Sequence, residues 1–139
     1  MISEFANLDI DEINQLGMEI NPNFMVLFHI NCINNNEKIY VYKDNNNIIG
    51  FIHISVNYEV ADLLNIVINL SNRNQGIGTK LFNYMIDNLP LNVNKIMLEV
   101  KSKNIEAINF YKKLNFKIIN ERKKYYDNDN ALVMERIIK

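Results

Sequence analysis

The stretch Asn65 to Asn88, NIVINLSNRNQGIGTKLFNYMIDN, constrains this chain most. Just before and into it runs Leu63 to Leu70, an apolar segment rich in Ile and Val, which reads as a strand covered on both faces. Further on, Ile77, Leu81, Phe82, Met85, Ile86 and Leu89 fall on one stripe at helical spacing. Between strand and helix lies Arg73-Asn74-Gln75-Gly76-Ile77-Gly78. Glycines at 76 and 78 permit dihedrals closed to other residues and let a ligand approach the main chain. The first N–H groups of a helix lack intrahelical partners and lie at the positive end of its dipole. The unit therefore predicts a site for a phosphate or pyrophosphate. The alternative is a tight strand-to-helix turn that binds nothing.

The commoner phosphate motifs do not fit. A P-loop needs a glycine five positions before Gly78, where Arg73 stands, and a dinucleotide fingerprint needs a third glycine where Leu81 stands. What remains is R-x-x-G-x-G after a strand and before a helix. It resembles the acyl-CoA pyrophosphate loop of the GNAT N-acetyltransferases.

The flanking segments complete an α/β pattern. Ile2 to Phe5 reads as a short strand, and Asp9-Ile10-Asp11-Glu12 as a capping-box start with an acidic first turn. Ile10, Ile13, Leu16 and Ile20 line one helical face until Pro22 stops the run. Phe24 to Ile33 is apolar and reads as a second helix. Lys38 to Lys43 and Ile48 to Val56 read as strands about a turn at Asp44 to Asn47. After the central unit, Pro90 to Asn94 returns the chain to a strand, Lys95 to Val100, which a crossover helix makes parallel to the central one. Lys103 to Leu114 is a further helix, with Ala107, Ile108, Tyr111 and Leu114 on one face. Phe116 to Arg122 and Ala131 to Ile138 close the chain as a hairpin about Asp127 to Asn130.

A chain of 139 residues without repeats or linkers is expected to form one domain. With Lys+Arg at 15 and Asp+Glu at 16, nothing suggests the basic footprint that nucleic acid requires. No apolar run is long enough to span a bilayer, so no membrane partner is expected. One cysteine, Cys32, excludes an internal disulfide and a cysteine-based zinc cluster, and suits a reducing, cytoplasmic setting. Cys32 itself reads as a small buried hydrophobe. His29 and His53 have no metal-spaced partners and read as structural, so no metal is expected.

The C-terminal half carries the more specific resemblance. LEVKSKNIEAINFYKKLNF (Leu98 to Phe116), then Arg122-Lys123-Lys124-Tyr125-Tyr126 and Asp129-Asn130-Ala131-Leu132-Val133-Met134, is similar to the bacterial ribosomal-protein-alanine N-acetyltransferases. Leu64 to Ile68 matches their T-N-I-A-V strand. The resemblance implies a GNAT fold, a mixed twisted sheet with an antiparallel N-terminal meander, parallel splayed central strands and helices on both faces. It implies acetyl-CoA as cosubstrate and direct attack by a primary amine. By carry-over, the pantetheine arm bonds the main chain of Ile66, Val67 and Ile68, and the pyrophosphate sits on Asn74, Gln75, Gly76, Ile77, Gly78 and Thr79. Glu99 becomes the general base; its alternative is a solvent-facing carboxylate or one paired with a lysine. Tyr111 becomes the acid for the departing thiolate, or a hydrogen-bond donor to sulfur, or merely a core tyrosine. Asn104 either contacts CoA or caps its helix. Arg122, Tyr125 and Tyr126 either shape a peptide groove or cover the sheet edge. The family's P-W-S segment is missing, since the chain has no tryptophan and Asn21-Pro22-Asn23-Phe24 stands nearest. The acceptor is expected to be a protein α-amine, alternatively a small amine. A CoA-binding sensor without catalysis is the rival class, and a monomer or weak dimer is expected.

Overall fold

The computed structural model describes residues 1–126 and 129–138; the side chains of Lys124, Tyr125 and Tyr126 lie outside that description, as do Asp127 and Asn128 of the expected turn. Strands β1 (Ile2–Glu4), β2 (Glu37–Asp44), β3 (Asn47–Asn57), β4 (Val60–Ile68), β5 (Lys95–Lys101), β6 (Lys117–Tyr126) and β7 (Asp129–Ile137) interleave with helices α1 (Ile10–Ile20), α2 (Phe24–Leu27), α3 (Ile77–Asp87) and α4 (Ile105–Lys113). The strands form one sheet in the order β1-β2-β3-β4-β5-β7-β6. Pairing is antiparallel from β1 to β3 and parallel between β4 and β5, the mixed α/β arrangement that the sequence predicts. Contacts divide the chain into two compact units, Met1–Ser55 with Leu64–Leu89, and Val56–Leu63 with Pro90–Lys139.

The first unit is built on the β2–β3 hairpin. Asn45 and Asn46 both take positive φ, 51° and 66°, between the paired residues Asp44 and Asn47. Two left-handed residues match the twist of flanking strands, and asparagine accepts that conformation more readily than most residues. Beneath the hairpin, Ile13, Leu16, Phe24, Ile30, Ile39, Val41, Ile48, Phe51 and Val67 form one buried cluster. Gly17 lets α1 approach it closely, because a Cβ there would lie 2.4 Å from the Phe24 ring. On the other face, Ile77, Leu81, Phe82 and Met85 of α3 are buried, as their spacing predicts.

Several expectations need correction here. Asp9 does not cap α1 through its side chain. Residues 7–9 form a short 3-10 turn, so its carboxylate turns back to accept from Ala6 N–H (2.8 Å) and pairs with Lys43 Nζ (3.0 Å). Ile20 is exposed at the helix end, and Phe24 to Ile33 breaks into α2 and a 3-10 turn at Ile30–Cys32. Neither piece has the length or the apolar period to form a stable helix alone. The central strand is not covered on both faces: only Ala61, Leu63 and Val67 of β4 are buried, and Leu70 falls outside it, exposed. Cys32 is exposed, because it ends a surface turn rather than pointing into the core.

In the second unit, Tyr58 turns the chain at positive φ (56°), and β4 meets β5 at Val60↔Lys95, Ala61↔Ile96 and Asp62↔Met97. The parallel ladder ends there. On its other side β5 pairs with β7 along its whole length, from Lys95↔Ile137 to Lys101↔Ala131. Ile96, Leu98 and Val100 are buried, and the alternate residues are not, the two-residue period of a strand with one covered face.

Candidate active site

The turn before α3 has the conformation of an anion nest. Asn74 and Gly76 take left-handed φ values of 63° and 79°, with Gly76 as the N-cap. The first backbone bond into the helix is Lys80 N–H to Gly76 C=O, at 3.0 Å. Among the described residues, the N–H groups of residues 74–79 have no acceptor. They are left to a ligand or to water. A Cβ on Gly76 would meet nothing within 4 Å, so the space over the turn is open. Buried Ile77 anchors the helix start, and Arg73 braces the turn by donating from Nε to the Ile68 carbonyl at 3.3 Å. That brace was not foreseen; it uses the carbonyl of one of the residues expected to meet the pantetheine arm. Val67 is buried, whereas Ile66 and Ile68 are part-exposed.

In the second unit, Asn104 caps α4, its Oδ1 accepting from Ala107 N–H at 3.2 Å. One of its two expected roles is thus present. At the far end Asn115 takes positive φ (68°), the left-handed conformation that ends the helix. Phe116 N–H bonds Tyr111 C=O and Asn115 N–H bonds Lys112 C=O, both at 3.0 Å. This is the Schellman pattern, and it includes its usual side-chain contact, Tyr111 against Phe116 at 5.8 Å. The Tyr111 ring, also beside Phe110, is held by the same motif that ends the helix. Burial pushes its hydroxyl up to about 12.

Glu99 lies on the opposite face of β5 from Ile96, Leu98 and Val100. Arg136, paired with Ile96, donates from Nη1 to the Leu114 carbonyl at 3.2 Å, which puts the end of α4 on the Ile96 face. Glu99 therefore points away from α4, and the structure does not bring it together with Tyr111. Its residue is exposed, and Oε1 lies 3.0 Å from Arg122 Nη1, reached across β7. The pairing residue is an arginine, not the lysine that was the alternative. Arg122 is thus tied to Glu99, while Tyr125 and Tyr126 of the expected groove lie outside the described side chains.

Sequence reasoning also missed a chain of polar contacts around buried His53 in the first unit. His53 is 1% exposed, with Nε2 2.6 Å from Glu37 Oε1 and Nδ1 3.2 Å from Asn65 Nδ2. The signal was present: His53 alternates with Phe51 on the buried face of β3, where an unpartnered imidazole would be costly.

Among the described residues, a row of N–H groups without acceptors opens the central helix, an arrangement suited to an anionic group. The class of the protein follows from sequence comparison. The model of the acetyltransferase (GNAT) family matches residues 7–116, and the chain belongs to that family. It is 25% identical over 146 residues to an N-acetyltransferase of Methanocaldococcus jannaschii, covering 96% of this chain and 89% of that one. The fold is shared with the ribosomal-protein-S18-alanine N-acetyltransferase of Escherichia coli (TM-score 0.83, 22% identity, 100% and 94% of the two chains). It is shared equally with an aminoglycoside 6'-N-acetyltransferase complexed with coenzyme A (TM-score 0.87, 18% identity, 100% and 97%).

Proposed function

We propose that the chain transfers acetyl from acetyl-CoA to a protein α-amine of the ribosomal-protein-alanine type. The observation that carries the acetyl-CoA half is the row of N–H groups at residues 74–79 that find no acceptor among the described residues, which suits a pyrophosphate. A solved neighbour with this fold holds coenzyme A. Ile66 to Ile68 would bond the pantetheine amides and polarise the thioester carbonyl, and Asn104 would contact CoA while capping α4. The amine nitrogen attacks the thioester carbon, the C–S bond breaks, and the amine proton goes to Glu99. No metal enters this scheme.

The protein-amine reading is supported by the R-x-x-Y-Y resemblance and by the exposure of Glu99, which a chain terminus can reach without being enclosed. A small amine is the second reading, favoured by the aminoglycoside-acetylating neighbour. A sensor that only binds CoA needs neither a general base at Glu99 nor a donor to sulfur at Tyr111. The same proposal has the chain acting as one catalytic domain, a monomer or weak dimer, in the cytoplasm. The test is thiol release from acetyl-CoA with peptides bearing free N-termini, their N-acetylated forms, and small amines. Turnover confined to free-N-terminal peptides is expected. Turnover confined to small amines replaces the acceptor, and tight binding with no turnover favours the sensor.

Tyr111 takes a limited role in this scheme. Moving its proton from a hydroxyl at about 12 to a thiolate near 8.5 is uphill by about 5 kcal/mol. It therefore acts as a hydrogen-bond donor to sulfur rather than a full proton donor. Tyr111→Phe should lower kcat by about tenfold, the value of one hydrogen bond to a charged group. A loss above about a thousandfold in steady-state turnover would restore the acid role.

A further inference from the structure

The His53 chain has no part in the scheme above, yet His53 and Asp9 are the polar residues buried among the described residues of the first unit. Glu37 is held in turn, its Oε2 accepting from Asn34 N–H at 2.8 Å. Phe28 covers the imidazole edge-on, with ring centres 5.9 Å apart. The groups facing His53 are thus Glu37 from β2, Asn65 from β4 and Phe28 beyond α2.

These contacts fix the orientation of Asn65. A carboxylate oxygen can only accept, so His53 Nε2 carries the hydrogen toward Glu37. Burial lowers the imidazole pKa, which favours the neutral ring and leaves Nδ1 as a bare acceptor. Asn65 must then donate from Nδ2, and its amide oxygen is turned away from the imidazole. Among the described residues that oxygen has no hydrogen-bond partner, and it is not shut off from solvent.

The face matters as well. Gly50 and Ile68 lie on the side of β3 and β4 that α3 covers, since a Cβ on Gly50 would meet Ile68 and Leu81. His53 lies on the other side with Phe51, over the α1 and α2 core, and Asn65 joins it there. A cosubstrate seated at the start of α3 comes to β4 from the α3 side. Asn65 presents its carbonyl to whatever arrives from the opposite side.

We propose that Asn65 positions the acceptor amine, its side-chain carbonyl accepting an N–H from the attacking nitrogen, and that the His53–Glu37 pair holds the amide in that orientation. Asn65 is a substrate-positioning residue; His53 and Glu37 act through it. This rests on the acetyltransferase reading and adds a residue to it.

The experiment uses the full chain with acetyl-CoA and two probes, a short peptide with a free N-terminal alanine and spermidine. Asn65→Ala should raise the KM of whichever probe is turned over by about tenfold, as expected for one lost hydrogen bond. The KM for acetyl-CoA should not change. Asn65→Asp gives the sharper readout. It keeps the outward oxygen but sets a second one against His53 Nδ1, which must then carry a proton. Its activity relative to wild type should therefore rise as pH falls from about 8 to about 6. Unchanged acceptor KM in Asn65→Ala, or a flat ratio in Asn65→Asp, overturns the proposal and leaves the acetyltransferase reading intact. No turnover of either probe by the wild type takes down that reading and this one together.

Discussion

Gly76→Val should abolish acetyl-CoA binding, raising Kd by at least about a hundredfold, the value of two charge-assisted hydrogen bonds. At φ 79° a β-branched residue is strained, by roughly 1–3 kcal/mol, and relaxing that strain re-aims the N–H groups on either side. A Cβ there would meet nothing within 4 Å, so the first carbon of the new side chain occupies space that the ligand would need. Gly76→Asn separates the two effects. Asparagine already holds left-handed backbone at residues 45, 46, 74 and 115 of this chain, so the fold should survive that change. Titration calorimetry with acetyl-CoA, beside a melting curve, reads both. Lost affinity with an unchanged Tm in Gly76→Asn places the pyrophosphate over the turn. Retained affinity in both variants means that the anion binds elsewhere.

The turn could be found in the sequence because it depends on local chemistry. Two glycines after an apolar run and before a helical stripe leave few backbone solutions, and the structure adopts one of them. Asn115 follows the same local chemistry, since asparagine can take the left-handed turn that ends a helix. What escaped was set by pairing across the sheet. Glu99 meets Arg122 only because β7 lies between their strands, and no spacing within either segment encodes that. His53, Glu37 and Asn65 come from three strands, and read singly each looks bland. The capping-box reading at Asp9 failed on a competing local structure. The 3-10 turn holds the carboxylate on Ala6 N–H, and Lys43 of β2 pairs with it there.

Glu99→Gln should lower kcat by about a hundredfold or more near neutral pH, within the usual contribution of a general base. Affinity for acetyl-CoA should not change, because Glu99 points away from the α4 face and takes no part in the nest at residues 74–79. Glutamine is the informative replacement. Its oxygen can still accept from Arg122 Nη1 at the place of Glu99 Oε1, so the link across β7 survives and only the proton acceptor is lost. The deficit should also depend on pH. A protein α-amine has a pKa of about 8, so roughly a tenth of it is already neutral at pH 7. A lysine-like small amine, with a pKa near 10.4, is neutral to well under one part in a thousand. In Glu99→Gln the rate should climb about tenfold per pH unit until the free amine loses its own proton, then level off. The level reached near pH 8 marks an α-amine acceptor, and a climb continuing toward pH 10 marks a small basic amine. Undiminished turnover at pH 7 would remove Glu99 as the base and reduce its pair with Arg122 to a brace across the sheet.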